Sequence, residues 1–303
     1  MKHLLKLSDL TEKEILEILN IADQLKYEKK HGIEHHLLKG KTLGMIFEKS
    51  STRTRVSFEV GMYDLGGNAL FLSSRDLQIG RGEPVQDTAR VLSRYLDAIM
   101  IRTYAQKEVE DLAKYGSIPI INGLTDYCHP CQILADLMTI REHKGKLQGL
   151  KLCYIGDGNN MANSYIVGAI KMGMTVAVAS PNGYEPDAEI VKWATETGRF
   201  TLTTDIYEAA KDADVLCTDV WASMGQEGEA NERKKVFEGY QVNSELMKVA
   251  KPDAMVQHCL PAHRGEEITE DVFEAHANEI FDEAENRLHA QKAVLVKCIL
   301  GDK

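Results

Sequence analysis

Between residues 42 and 121 the chain alternates short apolar runs with longer stretches of helical periodicity. Thr42–Phe47, 69–72, 97–101 and 118–121 are apolar runs of strand length, and 57–65, 85–95 and 109–115 space their apolar residues as helices do. Strands that are apolar along their whole length are buried on both faces, so this βαβα rhythm predicts a parallel sheet covered by helices. The rhythm restarts after a helix predicted over 132–143 and a polar, glycine-bearing stretch at 144–149. Lys151–Ile155, Thr175–Ala179, Phe200–Thr203, 215–217 and 254–257 form the second strand series, with 280–281 as a further short strand. A Thr11-x-x-Glu14 capping box opens an amphipathic helix carrying Leu16, Leu19, Ile21 and Leu25, and a helix over 285–300 ends the chain. The expected fold is α/β: two similar-sized domains, each a parallel sheet flanked by helices. The domains span 1–145 and 146–284, and the C-terminal helix in 285–303 returns to the first domain.

Composition narrows the class without changing this picture. A length of 303 residues suits about two domains. Hydrophobic residues at 44% and charged residues at 27% are those of a globular chain, which excludes disorder, collagen and a small disulfide scaffold. A formal charge of −10 argues against nucleic-acid and anionic-membrane partners, so any anion must be bound locally, against the overall field. No apolar run reaches the ~20 residues that span a bilayer. With no signal-peptide pattern and six scattered cysteines, the expected compartment is the cytoplasm.

In open α/β sheets ligands bind beyond the C-terminal strand ends, so the loops there carry the candidate chemistry. After the first strand comes Glu48-Lys49-Ser50-Ser51-Thr52-Arg53-Thr54-Arg55, running into a helix. Hydroxyls, guanidinium groups and free backbone N–H donors gather at a helix start whose dipole favours an anion. Arginines there oppose the dipole and call for a compensating anion, and their forked donors match phosphate oxygens. The spacing of a nucleotide-binding P-loop is absent. A solvated helix start is the alternative.

His129-Pro130-Cys131-Gln132 opens the helix at the domain boundary. A histidine there either donates to a developing oxyanion or simply caps and packs. Cys128 and Cys131 form a lone C-x-x-C, without a second pair to complete a zinc site. Gly156-Asp157-Gly158-Asn159-Asn160-Met161 occupies a dinucleotide-binding position, but Met161 replaces the third glycine and Ser180 stands where an acidic residue is wanted, so NAD is weakly supported. Asn160 would instead aim an amide at a polar substrate. Asp219, at the end of a strand, suits an ammonium group, and the nearby Ser223 a carboxylate. His258 and Cys259 suggest a thiolate nucleophile, although neighbours on an extended chain point to opposite faces.

Taken in order along nearly the whole chain, Phe47-Glu48-Lys49-x-Ser51-Thr52-Arg53-Thr54-Arg55-x-Ser57-Phe58-Glu59, His129-Pro130-Cys131-Gln132, Asp219-x-x-x-Ser223-Met224-Gly225 and His258-Cys259-Leu260-Pro261 resemble the aspartate/ornithine carbamoyltransferase superfamily, and its ornithine branch in particular. The resemblance implies a transferase that moves the carbamoyl group of carbamoyl phosphate to the δ-amine of ornithine, giving citrulline and phosphate in arginine metabolism, an amino-acid biosynthesis route. Putrescine is the alternative amine. It implies that Ser51, Thr52, Arg53, Thr54, Gln78, Arg102, His129, Gln132, Cys259, Leu260 and Arg287 bind carbamoyl phosphate, with Gln78 supplied by a neighbouring subunit of a homotrimer. Asn160, Asp219, Ser223 and Met224 would bind ornithine, and Arg102, His129 and Cys259 would be catalytic. No metal or organic cofactor is implied. A phosphate-ligand sensor that lost its chemistry and an NAD-dependent dehydrogenase are the competing classes.

Overall fold

The computed structural model describes residues 1–223 and 227–301. Its chain divides into two compact units, one of residues 1–135 and 286–303 and one of residues 136–285. The divisions fall inside two helices, so neither helix belongs wholly to one unit.

The first unit begins with α1 (Glu12–Lys30), opened by the Thr11/Glu14 capping box. Strands β1 (Thr42–Phe47), β2 (Asn68–Ser73), β3 (Ala98–Arg102) and β4 (Ile120–Leu124) pair in parallel in the order β2-β1-β3-β4. Between them run α2 (Thr52–Asp64), α3 (Val85–Leu92) and α4 (Gln106–Tyr115), and β4 leads into α5 (Pro130–Lys144). β3 is buried at every position, as an inner strand covered on both faces must be, whereas the edge strand β2 leaves Leu70 and Phe71 exposed.

The second unit holds β5 (Lys151–Ile155), β6 (Thr175–Ala179), β7 (Phe200–Thr203), β8 (Val215–Thr218) and β9 (Met255–His258), all parallel, in the order β7-β6-β5-β8-β9. Its helices are α6 (Asn160–Lys171), α7 (Ala188–Glu196), α8 (Ile206–Ala210), α9 (Ala230–Val236), α10 (Ser244–Met247) and α11 (Glu270–Ala275), followed by α12 (Ala277–Leu300). The core joins Cys153 and Ile155 of β5 to Leu216 of β8 and Val256 of β9, with Val272 and Phe273 from α11.

The observed α/β architecture of two helix-flanked parallel sheets is the expected one, and the end of α12 packs on the first unit. There Lys26 Nζ donates to Asn286 Oδ1 at 2.7 Å and Lys297 Nζ pairs with Glu17 at 2.6 Å. Residues 280–281 are not a strand. They lie near the start of α12, where Ile280 is buried and Phe281 exposed. Two adjacent apolar residues are too few to carry a period, and the flanking Ala and Glu favour helix. Several strands also run further than their apolar runs. Arg102, Thr218 and His258 are polar yet continue the ladders, opposite Phe47, Ile155 and Thr218 respectively. No helix of the described residues is long and apolar enough to cross a membrane.

In both sheets the strand order reverses at a central pair, β1/β3 in one and β5/β8 in the other. The crevice beyond the C-terminal ends at such a reversal is where open α/β sheets bind ligands. The loops that leave β1, β5 and β8 carry Ser51, Asn159 and Asp219, and Arg102 is the last residue of β3.

Candidate active site

In the first unit β1 delivers the chain to Ser51, the N-cap of α2, whose Oγ accepts from the Thr54 backbone N–H at 3.2 Å. Serine is favoured there because its short side chain replaces a missing helical acceptor. The first turn then carries Thr52, Arg53 and Thr54 and no acidic residue, leaving the positive end of the dipole uncompensated by the helix itself. Arg102 closes β3, and its carbonyl accepts from Glu48 N at 2.9 Å, which ties the β1 loop to β3. Gln132, in the first turn of α5, accepts from Arg287 Nη1 at 2.6 Å, and Arg287 Nη2 donates to Thr54 Oγ1 at 3.1 Å. Thr54, Arg102, His129, Gln132 and Arg287 are all buried.

Burial, and then the guanidinium groups of Arg287, Arg102 and Arg53, hold the His129 pKa well below the ordinary histidine value. A neutral imidazole in a field of three cations is the result. Such a ring offers one N–H donor and no charge of its own, so the cations dominate the potential a ligand meets. Arg55 does not join them: its Nε pairs with Glu59 at 3.1 Å and its guanidinium lies 3.9 Å from the Phe71 ring centroid. The C-x-x-C pair is core packing. Cys128 and Cys131 are buried thiols that burial pushes up to about 12, and Cys131 Sγ donates to the Asn122 carbonyl at 3.4 Å. Gln78 is exposed on the 3-10 turn Gln78–Arg81, beyond the edge strand β2.

In the second unit β5 turns into α6 through Gly156, whose φ of +139° excludes ordinary side chains, and Gly158, where an added Cβ would lie 2.2 Å from the Glu185 carbonyl carbon. Asn159 then caps α6, its Oδ1 accepting from Met161 N at 2.8 Å and Ala162 N at 3.3 Å. Its Nδ2 donates to Asp219 Oδ2 at 3.1 Å and Ser223 Oγ at 3.5 Å. Asn160, the amide singled out from the sequence, begins α6 one residue later; the role of Asn159 was missed, although an N-cap position is itself a reason to expect Asn. Asp219 leaves β8 buried, with Oδ1 accepting from Val220 N at 2.8 Å and Cys259 Sγ at 3.2 Å. Met224 lies outside the described residues.

Burial and then Asp219, Glu283 and Asp136 push the Cys259 thiol well above its ordinary range. It is therefore a protonated donor to Asp219, not a thiolate nucleophile. His258 cannot activate it, because its ring is committed elsewhere. Nδ1 accepts from Leu260 N at 2.9 Å, so the ring proton is on Nε2, 2.9 Å from the buried Glu267 carboxylate. Leu260 adopts a left-handed φ of +59°, unusual for a branched side chain, and follows directly on Cys259. Asp219, His258 and Cys259 group closely enough to suggest metal ligation, but a metal there would have to displace the Leu260 or Glu267 contact from the ring and the proton from the thiol. One further anchor was not foreseen: Arg233, buried, pairs with Asp157 and donates through Nε to the Trp221 carbonyl at 2.5 Å, bracing the segment after Asp219.

Known proteins combine the same two units. Residues 2–142 match the family model described as the aspartate/ornithine carbamoyltransferase carbamoyl-P binding domain, and residues 148–298 match its Asp/Orn binding domain. The chain is 61% identical to the ornithine carbamoyltransferase of Anoxybacillus flavithermus over 98% of this chain and 96% of that one. It is 59% identical to that of Pyrococcus abyssi over 100% of this chain and 97% of that one. The solved ornithine carbamoyltransferase of Pyrococcus furiosus superposes with a TM-score of 0.95 at 58% identity, covering 100% of this chain and 98% of that one. Matched in both units, across its length and in its fold, the chain belongs to the aspartate/ornithine carbamoyltransferase family.

Proposed function

We propose that this enzyme transfers the carbamoyl group of carbamoyl phosphate to the δ-amine of L-ornithine, giving L-citrulline and phosphate. The observation that carries this is the buried guanidinium groups of Arg102 and Arg287, with the half-buried Arg53 in the first turn of α2, around a neutral His129. A phosphate monoester fits it: forked guanidinium donors take its oxygens, and Ser51, Thr52 and Thr54 add hydroxyls and helix-start N–H groups. Gln132 would take the carbamoyl amide. In the second unit Asp219 would receive the ammonium group of ornithine, with Asn159, Asn160, Ser223 and Met224 completing the amino-acid site. Cys259 and Leu260 would present backbone carbonyls to the reacting groups.

A lysine-like amine has a pKa near ~10.4, so it must lose a proton before it attacks. Its nitrogen lone pair then forms the new C–N bond at the carbonyl carbon, and the carbonyl electrons move to oxygen. The oxyanion meets Arg102, Thr54 and His129, the electrostatic contribution that usually dominates such a step. Collapse breaks the C–O bond to phosphate, and the departing phosphate takes the proton left on nitrogen. No cofactor is needed for this balance.

Relatives named as ornithine carbamoyltransferases support ornithine over putrescine as the acceptor. A colorimetric ureido assay with the two amines at equal concentration tests the choice. Citrulline formation well in excess of carbamoylputrescine is expected; preference for putrescine would overturn the assignment. We further propose a homotrimer, or a multiple of trimers, acting in the cytoplasm in arginine biosynthesis. The exposed Leu70 and Phe71 of edge strand β2 and the exposed Gln78 turn support an intersubunit face to which Gln78 contributes.

A further inference from the structure

Arg287 and Gln291 stand four residues apart on α12 and therefore share one face of that helix. Ser57 donates its single hydroxyl hydrogen to the Arg53 carbonyl at 2.7 Å. Toward Gln291, 2.5 Å away, Ser57 is thus an acceptor, and Gln291 presents its NH2 group to it. The amide oxygen then faces Arg287 and accepts from Nε at 3.2 Å and from Nη2 at 3.1 Å. This orientation follows from the hydrogen-bond network. Gln132 and Thr54 take the other side of the same guanidinium, at 2.6 and 3.1 Å. Gln291, Gln132 and Thr54 are all neutral acceptors, and one chain of bonds runs from the Arg53 carbonyl through Ser57 and Gln291 to Arg287.

We propose that Gln291 is a positioning residue for the anion site: its neutral amide fixes the Arg287 guanidinium and couples it to the first turn of α2 without supplying a counter-charge. This rests on the assignment of Arg287 to the carbamoyl phosphate site. A neutral partner matters because a carboxylate at the same place would hold Arg287 equally well but compete with the phosphate for its charge. An apolar partner would fill the volume and leave the guanidinium one acceptor short.

Gln291→Glu tests the charge and Gln291→Met the acceptor, with Arg287→Gln as the control for the site itself. The readouts are KM for each substrate and the inhibition constant of inorganic phosphate against carbamoyl phosphate. Both Gln291 variants should weaken carbamoyl phosphate and inorganic phosphate by at least about tenfold, the scale of a lost or offset charge-assisted bond, with ornithine KM held within about twofold. Wild-type phosphate inhibition in both folded Gln291 variants, alongside a loss in Arg287→Gln, overturns the positioning role while leaving the site intact. Equal losses for both substrates also overturn it, since a merely structural residue would behave so. Wild-type anion affinity in Arg287→Gln refutes the site assignment instead.

Discussion

At His129 burial and three guanidinium groups act in the same direction, and each disfavours a proton on the ring. The consequence for stability has a definite sign. An unfolded histidine takes up a proton as pH falls through ~6.5, whereas the folded ring resists until well below that. The unfolded state therefore binds more protons in that window, and the contribution of His129 to stability is complete above it and shrinks as pH falls. Asp157 works the other way: burial pushes it up to about 6 against the pull of Arg233, so acid protonates it in the folded state first. The two are separable by substitution. Melting temperatures of wild type and His129→Gln measured from pH 7 to pH 5 should converge with acid, because the wild type alone loses the histidine contribution; parallel curves would contradict the neutral ring. Asp219 shows the complementary logic in the second unit. One carboxylate gathers Asn159, Val220 and Cys259 as donors, a negative centre without a guanidinium among these contacts.

At the scale of elements, the candidate site gathers at strand ends and helix starts, with Arg287 added from within α12. Ser51 and Asn159 are both N-caps, and each spends its side chain on closing a helix while setting the direction of the residues that follow. The turn between β5 and α6 depends on Gly158, which lies against the backbone of Glu185 and Pro186 with 2.2 Å for an added Cβ. Backbone cannot swing aside as a flexible side chain can. Gly158→Ala should destabilise by about 1–3 kcal/mol, the usual cost of overpacking, and raise ornithine KM by displacing Asn159. An unchanged melting temperature would show that the turn adapts. Periodicity located most elements but stopped short of their polar ends. Arg102, Thr218 and His258 are polar, so the apolar runs end before each of them, yet the sheet ladder includes all three.

At the scale of the molecule, a chain of net charge −10 concentrates cations where one anion is expected and leaves the exposed edge of β2 apolar. If that edge and the Gln78 turn form an intersubunit face, light scattering at micromolar concentration should give a trimer mass or a multiple of it; a monomer mass would refute the assembly. By itself the sequence determined the two-domain α/β plan and pointed to the basic helix start after β1 as a place suited to an anion. These are properties of neighbours along the chain, where side-chain period, cap chemistry and the helix dipole act over a few residues. The helix start after β4 offered His129 and Gln132, but Arg102 and Arg287 came only from resemblance to a family, since no local pattern could assemble them with the rest. Only the tertiary structure decided that Arg287 meets Thr54 and Gln132, that Arg55 pairs with Glu59 instead, that Asn159 contacts Asp219, and that Cys259 is a thiol beside a carboxylate. Those outcomes depend on strand order and on helix packing between residues remote in sequence, and on the burial that sets which groups carry charge.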